Sequence, residues 1–188
     1  KNNGEEDLGV EYVSSFALLG IDKEGLLSTD EKLEVLIARN AWQKELIWNR
    51  FSMDQLGMSI SQPDKVRRSS QTISVGNTGN WSTKNYLPMG CLKNKETDSI
   101  LFWQIEQNGS WYWEISDQDG HMYLQLSGPT EHQSHWWKNL KPGDTFASVP
   151  VSVGSACGDV EEAAGELTKY RRAIRRKNED NEKLPVIF

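Results

Sequence analysis

The sequence predicts a mainly β protein, an antiparallel β-supersandwich that ends in an α-helix. Strand-sized segments rich in aromatic and β-branched residues recur at short, regular spacing between turn formers. The chain has eight tryptophans, roughly three times average usage, and indole rings fill the space between stacked sheets well. The apolar spacing becomes that of a helix only after residue 158. We therefore expect a sandwich over residues 1–157 and a helix with its linker over residues 158–177.

The strands of the first half are bounded by turn formers. Residues 11–19 have the composition of a strand. The stretch 28–41 has two interpretations, because Ser28 and Glu31 fit a helix capping box while apolar residues alternate from 33 to 37. We favour a strand there. Further strands are predicted at residues 45–51, 71–75, 100–106, 111–116, 121–126 and 146–153.

The pair Asn108–Gly109 lies between two aromatic-rich strands and predicts a β-hairpin. With a two-residue turn, Trp111 and Trp113 share one face of the hairpin, and Trp103 lies on the other. The same register separates Glu106 from Glu114 by the sheet, although a glycosidase needs two carboxyl groups within roughly 10 Å. We therefore do not expect these two glutamates to form a catalytic pair.

The helix is predicted by its cap and its charge distribution. Asp159 can accept hydrogen bonds from the first turn, with Glu162 three residues on. Acidic residues cluster at its start and arginines at its end, which suits the helix dipole. Its apolar face consists of Val160, Ala163, Ala164, Leu167, Tyr170 and Ile174. A charged linker, residues 177–183, then leads into a continuous apolar run.

That run, residues 184–188, reads Leu-Pro-Val-Ile-Phe. Continuous apolar runs are typical of strands buried on both faces, as in a parallel sheet. We therefore expect residues 184–188 to be the first strand of a different domain, and the chain to be cut there. Because the sequence begins with Lys1 and not with Met, we also expect the chain to have been processed or cut from something longer.

Composition excludes several classes of partner. The chain has 188 residues, 37% of them hydrophobic and 26% charged, and a net charge of −6, as in an ordinary globular domain. The acidic excess argues against a nucleic-acid partner, and no apolar run approaches the ~18 residues of a membrane span. The first seven residues hold no signal-peptide core, and a cytoplasmic and a secreted location both stay open.

No residue pattern points to catalysis, a cofactor or a metal. The two cysteines, Cys91 and Cys157, are too few for a zinc site and are expected as unlinked thiols, with a single bridge as the alternative. His132 and His135 imitate a metal motif, but we interpret them as solvent-facing residues of a loop. The sequence has no nucleophile elbow, phosphate-binding loop or dinucleotide fingerprint.

Trp81 is the exception among the tryptophans, most of which we expect in the core. It lies in a turn-rich stretch, residues 77–85, where an exposed indole could contact a ligand. Arg67 and Arg68 follow Pro63 and Asp64 in another polar loop. We expect both side chains to lie on the solvent-exposed surface, and the alternative is that they contact a sugar hydroxyl or a neighbouring chain.

Several blocks in a fixed order resemble the α-galactosidases of glycoside hydrolase family 36. The resemblance spans roughly residues 40–188. It is carried by "GNWSTKNYLPMG", "FWQIEQNGSWYWEI", "HWWKNLKPGDTFASVPVSV", "LTKYRRAIRR" and the final "LPVIF". Members of this family place a large β-supersandwich before a (β/α)8 barrel, and hydrolyse terminal α-galactosides with retention. Their two catalytic aspartates belong to the barrel.

The resemblance implies a non-catalytic N-terminal sandwich that serves barrel docking, oligomerisation and completion of a sugar site. Its implied partners are the missing catalytic barrel, a galactoside-type carbohydrate and further copies of the chain. Trp81 and Asn85 are nominated as substrate-binding residues. The alternative is an autonomous carbohydrate-binding module that uses exposed tryptophan, and a self-sufficient enzyme of another class comes a distant third.

Overall fold

The computed structural model describes residues 1–58, 71–118 and 120–183. Arg67, Arg68 and residues 184–188, for which predictions come from the sequence alone, therefore lie outside the described residues. Within these ranges, no helix has the length and apolarity that crossing a membrane would require.

The described residues form a sandwich of antiparallel sheets, which confirms the predicted fold class. The strands are β1 (Leu8–Val10), β2 (Ser14–Leu19), β3 (Leu33–Ala41), β4 (Lys44–Ser52), β5 (Ile73–Asn77), β6 (Tyr86–Asn94), β7 (Ser99–Ile105), β8 (Trp111–Gln118), β9 (His121–Ser127), β10 (Lys138–Leu140) and β11 (Val151–Cys157). One sheet has the strand order β11-β7-β6-β3-β4, and the other has the order β2-β9-β8-β5. β1 and β10 form a small separate ribbon.

The helices are α1 (Thr29–Lys32), α2 (Glu131–Ser134), α3 (Val160–Ile174) and α4 (Glu179–Lys183), with a 3-10 turn at Asp54–Leu56. α3 begins after Asp159, as the predicted cap requires, and the capping box between Asp159 and Glu162 is present. The charged stretch predicted as a linker contains the short helix α4, in which Lys183 pairs with Glu179 one helical turn away.

Both interpretations of residues 28–41 are partly correct. The Ser28 N–H donates to the Glu31 carboxylate at 3.1 Å, and this capping box begins the single turn of α1. β3 follows at once, and its alternating apolar residues enter the core. The start of β11 differs from the predicted start of that strand. Pro150 has no backbone N–H to donate to a sheet, so the strand cannot include it as a regular member. β11 therefore begins at Val151, whereas the sequence predicts a strand from Phe146.

The predicted hairpin at Asn108–Gly109 is wrong. β7 pairs with β6 and β11 in one sheet, while β8 pairs with β5 and β9 in the other. The Asn-Gly signal is local, whereas strand pairing is decided by which apolar faces can be buried together. Both strands bury indoles between the sheets, and a connection that crosses from one sheet to the other allows both to do so.

Trp103, Trp111 and Trp113 therefore share one core, contrary to the opposite faces predicted for them. Each is at most 1% exposed, and the Trp103 and Trp113 rings meet edge to face with centroids 5.2 Å apart. The Trp103 ring lies against Gly90, where an added Cβ would approach it to 2.5 Å. Of the remaining five tryptophans, Trp81 is exposed as predicted, and the expectation that most of them fill the core is wrong for the other four. Trp48 and Trp136 are half-buried, and Trp42, Trp81 and Trp137 are exposed.

Candidate docking groove and the Trp81 loop

The helix α3 packs on the outer face of the five-stranded sheet and creates a second apolar cluster there. This cluster consists of Leu36, Cys91, Ile100, Phe102, Ala163 and Leu167. Gly154 on β11 leaves room for the Phe102 ring, which an added Cβ would approach to 2.5 Å. The outer face of this sheet is therefore apolar enough to bind a helix, while its inner face forms the main core.

Ion pairs hold the start of α3 on the sheet. Arg50 of β4 donates to Asp159 at 2.6 Å and to Glu34 at 2.8 Å. Lys93 of β6, which is 5% exposed, donates to Asp98 and to the Gly158 carbonyl, each at 2.5 Å. Partial burial alone would raise the pKa of Asp159. The bonds from Arg50 and from the Val160 N–H outweigh it and hold that pKa below its usual range.

Hydrogen bonds hold the second half of α3. The Tyr170 hydroxyl donates to Glu106 at 2.6 Å, and the Arg171 Nε–H donates to Gln104 at 2.9 Å. Gln104 lies on β7 and Glu106 directly follows that strand, so these contacts fix the helix across the end of β7. The helix thereby becomes one wall of an open groove.

The groove lies between α3 and the edge strand β4, and its volume is ≈ 620 Å³. Its apolar lining includes Leu46, Trp48, Leu87, Met89, Leu167 and Ile174. Leu46 is 53% exposed and Ile174 is 51% exposed, although each lines the groove together with the buried residues Cys91 and Leu167. Exposed apolar surface bordered by polar residues is typical of a site where another surface binds.

Two further apolar side chains are exposed at the β3–β4 turn and on β4, outside the lining of the groove. Trp42 in that turn is 88% exposed, and Ile47 on β4 is also exposed. β4 is an outer strand of its sheet, and such edges offer unpaired backbone groups to a partner strand. Sequence reasoning assigned Trp42 to the core, because spacing alone does not tell which strand lies at an edge.

The Trp81 side chain is 62% exposed, as the sequence predicts. Its loop is anchored at Ser82, whose carbonyl accepts from Trp111 Nε1 at 2.7 Å and from Asn77 Nδ2 at 2.8 Å. Ser82 and Thr83 line one end of the groove, so the exposed indole lies beside that end. The loop is thus fixed to the core while the Trp81 ring faces outward.

Asn85 lies in a different place from Trp81. Its carbonyl accepts from the Asn40 N–H at 3.0 Å, and it lines a separate cleft of ≈ 500 Å³. The cleft also holds Tyr86, with the Arg39 guanidinium 5.4 Å from the ring centroid. The two nominated residues do not line one cavity together. Sequence reasoning missed this cleft because its residues come from β3, β4 and β6.

The two rejected glutamates lie on opposite outer faces of the sandwich, which confirms their separation. Glu106 accepts from Tyr170 and from Ser152 on the five-stranded sheet. Glu114 accepts from the Tyr123 hydroxyl at 2.8 Å on the four-stranded sheet. Burial, together with that carboxylate, raises the pKa of Tyr123 to about 12.

His132 and His135 are exposed, as predicted, but the prediction that they lie in a loop is wrong. Glu131–Ser134 forms the short helix α2, and His135 ends it with a left-handed φ of 53°. Across the described ranges, no three His, Cys, Asp or Glu side chains come together as a metal site would require. Cys91 is buried and Cys157 is exposed, and both are free thiols, as predicted.

These features define an antiparallel β-sandwich with a helix on one outer face and an apolar groove beside that helix. No protein-family model and no curated protein matches the chain. Solved structures do match it, and all three described below are α-galactosidases, two of them of family 36, each of which this chain resembles in fold.

One is a variant of the α-galactosidase AgaA from Geobacillus stearothermophilus in complex with stachyose. It is 14% identical, with a TM-score of 0.71, over 96% of this chain and 22% of that chain. The α-galactosidase from Lactobacillus brevis is 14% identical, with a TM-score of 0.67, over 91% and 20%. AgaB from Geobacillus stearothermophilus is 14% identical, with a TM-score of 0.63, over 84% and 19%. The chain thus has the fold of about a fifth of each enzyme.

Proposed function

We propose that this chain is the non-catalytic N-terminal β-sandwich of an α-galactosidase-like glycoside hydrolase, and that it docks onto the catalytic barrel. The proposal includes the division into a sandwich at residues 1–157 and a helix with its linker at residues 158–177. The shared fold supports it, because nearly all of this chain aligns with only about a fifth of each galactosidase.

The observation that carries the proposal is the open groove beside α3. Apolar side chains such as Leu46 and Ile174 stay half-exposed there, in a groove that is also lined by residues of the buried cluster beneath α3. Because these side chains are already about half buried, covering one of them stabilises a complex by about 1 kcal/mol, roughly half the value for a fully exposed side chain, before the cost of association. A large partner surface that belongs to the same polypeptide would bury this groove without a further loss of free rotation and translation.

Binding to a separately produced barrel of the parent α-galactosidase tests this function. We expect Leu46→Asp and Ile174→Asp to weaken binding at least tenfold each, because each buries a charge in the docked groove. Leu26→Asp is the matched control, because Leu26 is 99% exposed outside the groove. Equal affinity of all three variants would contradict docking through this groove.

The shared fold and the Trp81 loop also support a role in carbohydrate binding, as a second candidate function. The indole is exposed on an anchored loop, and aromatic faces stack well on sugar rings. Isothermal titration with galactose, melibiose and raffinose should then give heat with the unaltered chain and none with Trp81→Ala. Trp137→Ala is the control, since Trp137 is 64% exposed on another loop. Equal heats from both variants, or no heat from the unaltered chain, would end this candidate.

Self-association belongs to the same proposal. The exposed edge strand β4 and its apolar neighbours Trp42 and Ile47 favour contact with another copy. Sedimentation velocity over a range of concentrations should show reversible growth in mass for the unaltered chain. A Trp42→Lys, Ile47→Lys double variant should stay monomeric, and a monomeric unaltered chain at high concentration would contradict the idea.

A further inference from the structure

We propose that Asn108 is a site of spontaneous deamidation, and that the fold directs this reaction to Asn108 and protects the other Asn-Gly pair. The sequence contains two such pairs, Asn3–Gly4 and Asn108–Gly109. Glycine has no Cβ, so it leaves the backbone nitrogen after asparagine open to approach the asparagine side chain. The sequence alone treats the two pairs as equivalent, and the structure does not.

The reaction needs only water and hydroxide. Hydroxide removes the proton of the Gly109 N–H, and that nitrogen forms a bond to Cγ of Asn108. The Cγ–Nδ2 bond breaks and ammonia leaves, which closes a five-membered succinimide ring. Water then opens the ring at either carbonyl and leaves an aspartate or an isoaspartate, about 1 Da heavier than the asparagine.

The loop around Asn108 allows this geometry. It connects strands of two different sheets, so no ladder hydrogen bonds cross it. Asn108 is exposed, and within residues 71–118 and the other described ranges neither its side chain nor the Gly109 N–H has a hydrogen-bond partner. The nearest atom to an added Gly109 Cβ is Gln107 Nε2 at 3.5 Å, so no neighbouring group packs tightly against the Gly109 backbone on that side.

The pair Asn3–Gly4 lacks these freedoms, although Asn3 is exposed too. The Gly4 N–H donates to Asn2 Oδ1 at 2.9 Å, so the attacking nitrogen is occupied. Asn2 is 5% exposed, and its Nδ2 donates to the carbonyls of Glu6 and Leu140, each at 2.8 Å. A buried, fully bonded side chain therefore holds the backbone of this pair in place.

The modification would change the groove. Asn108 lines it beside Glu106, so the product places a second carboxylate on its rim. The chain already carries a net charge of −6, and isoaspartate would also add a methylene to the backbone of the loop. Aged protein would therefore present a more acidic groove than fresh protein.

Peptide mapping by mass spectrometry, after incubation of the folded chain in mildly alkaline buffer, tests the proposal. We expect the 1 Da gain at Asn108 to accumulate several-fold faster than at Asn3. In the urea-unfolded chain, the two rates should become similar. Equal rates in the folded chain, or faster conversion at Asn3, would overturn the proposal.

Two variants test the cause. Gly109→Ala should slow conversion at Asn108 several-fold while the chain stays folded, because Gly109 has no positive φ and an added Cβ meets only ordinary contacts. Asn2→Ala frees the Gly4 N–H and should speed conversion at Asn3 alone. An unchanged rate at Asn108 in Gly109→Ala, with unchanged circular dichroism, would contradict the assigned chemistry.

Discussion

The two thiols show how strongly a single residue depends on its surroundings. Cys91 is 1% exposed under α3, and burial, with a smaller effect of the Asp159 charge, raises its pKa to about 12. Cys157 ends β11 and is exposed. Reactivity of a thiol requires both access and the thiolate form. The same residue type is therefore protected at one position and accessible at the other.

A thiol-reactive dye should label Cys157 but not Cys91 in the folded chain at neutral pH. Both should react in guanidinium chloride, because unfolding exposes the second thiol and restores its ordinary pKa. Intact-mass spectrometry counts the labels per chain in the folded and the unfolded state. Cys157→Ser is the control and should abolish labelling of the folded chain, whereas rapid labelling of that variant would contradict the packing of α3.

The helix α3 shows how local signals and tertiary contacts combine in one element. Asp159 caps the helix, since its carboxylate accepts from the Val160 N–H at 2.7 Å, and the same carboxylate pairs with Arg50. The first role is written in the local sequence, and the second needs a strand more than a hundred residues earlier. Substitutions can separate the two roles, because asparagine also caps helices but carries no charge.

Asp159→Ala should lower the free energy of unfolding by about 1 kcal/mol, and Asp159→Asn by less than that. Because the folded pKa of Asp159 is lowered, its charge stabilises the fold above the unfolded pKa of about 3.9 and this stabilisation disappears as the pH falls through the folded value. Urea unfolding at neutral and acidic pH should show that the free energies of unfolding of Asp159→Asn and of the unaltered chain become equal in acid. A constant gap between them at all pH values would contradict the ion pair.

Elements with local signals could be predicted from the sequence, and elements that depend on distant pairing could not. The cap and the apolar face predicted a helix from Val160 to Ile174, and α3 spans these residues. Ser28 and Glu31 indicated the helical turn that is α1. Asn108–Gly109 predicted a hairpin, but the inward-facing Trp103 and Trp111 required strands in opposite sheets. The exposure of Trp81 was predictable from its turn-rich loop. The groove was not, because its walls come from β4, β6, β7 and α3.

The whole molecule has two unlike outer faces. The four-stranded sheet presents a polar network around Glu114, whose carboxylate accepts from tyrosine hydroxyls. The five-stranded sheet presents α3, the groove and an edge strand with exposed apolar residues. Leu18 and Leu19 are exposed on the four-stranded sheet as well, but the open apolar groove lies on the second face, so the proposed docking function assigns the barrel to that side.

Hydrogen exchange of the chain, with and without the separately produced barrel, tests the central claim most directly. The docking account predicts slower exchange in β4, α3 and the Trp81 loop on addition of the barrel, because docking buries their backbone amides. It predicts no change in β2 and β9 of the other sheet. Protection confined to the four-stranded sheet, or no protection anywhere at saturating barrel, would contradict the account.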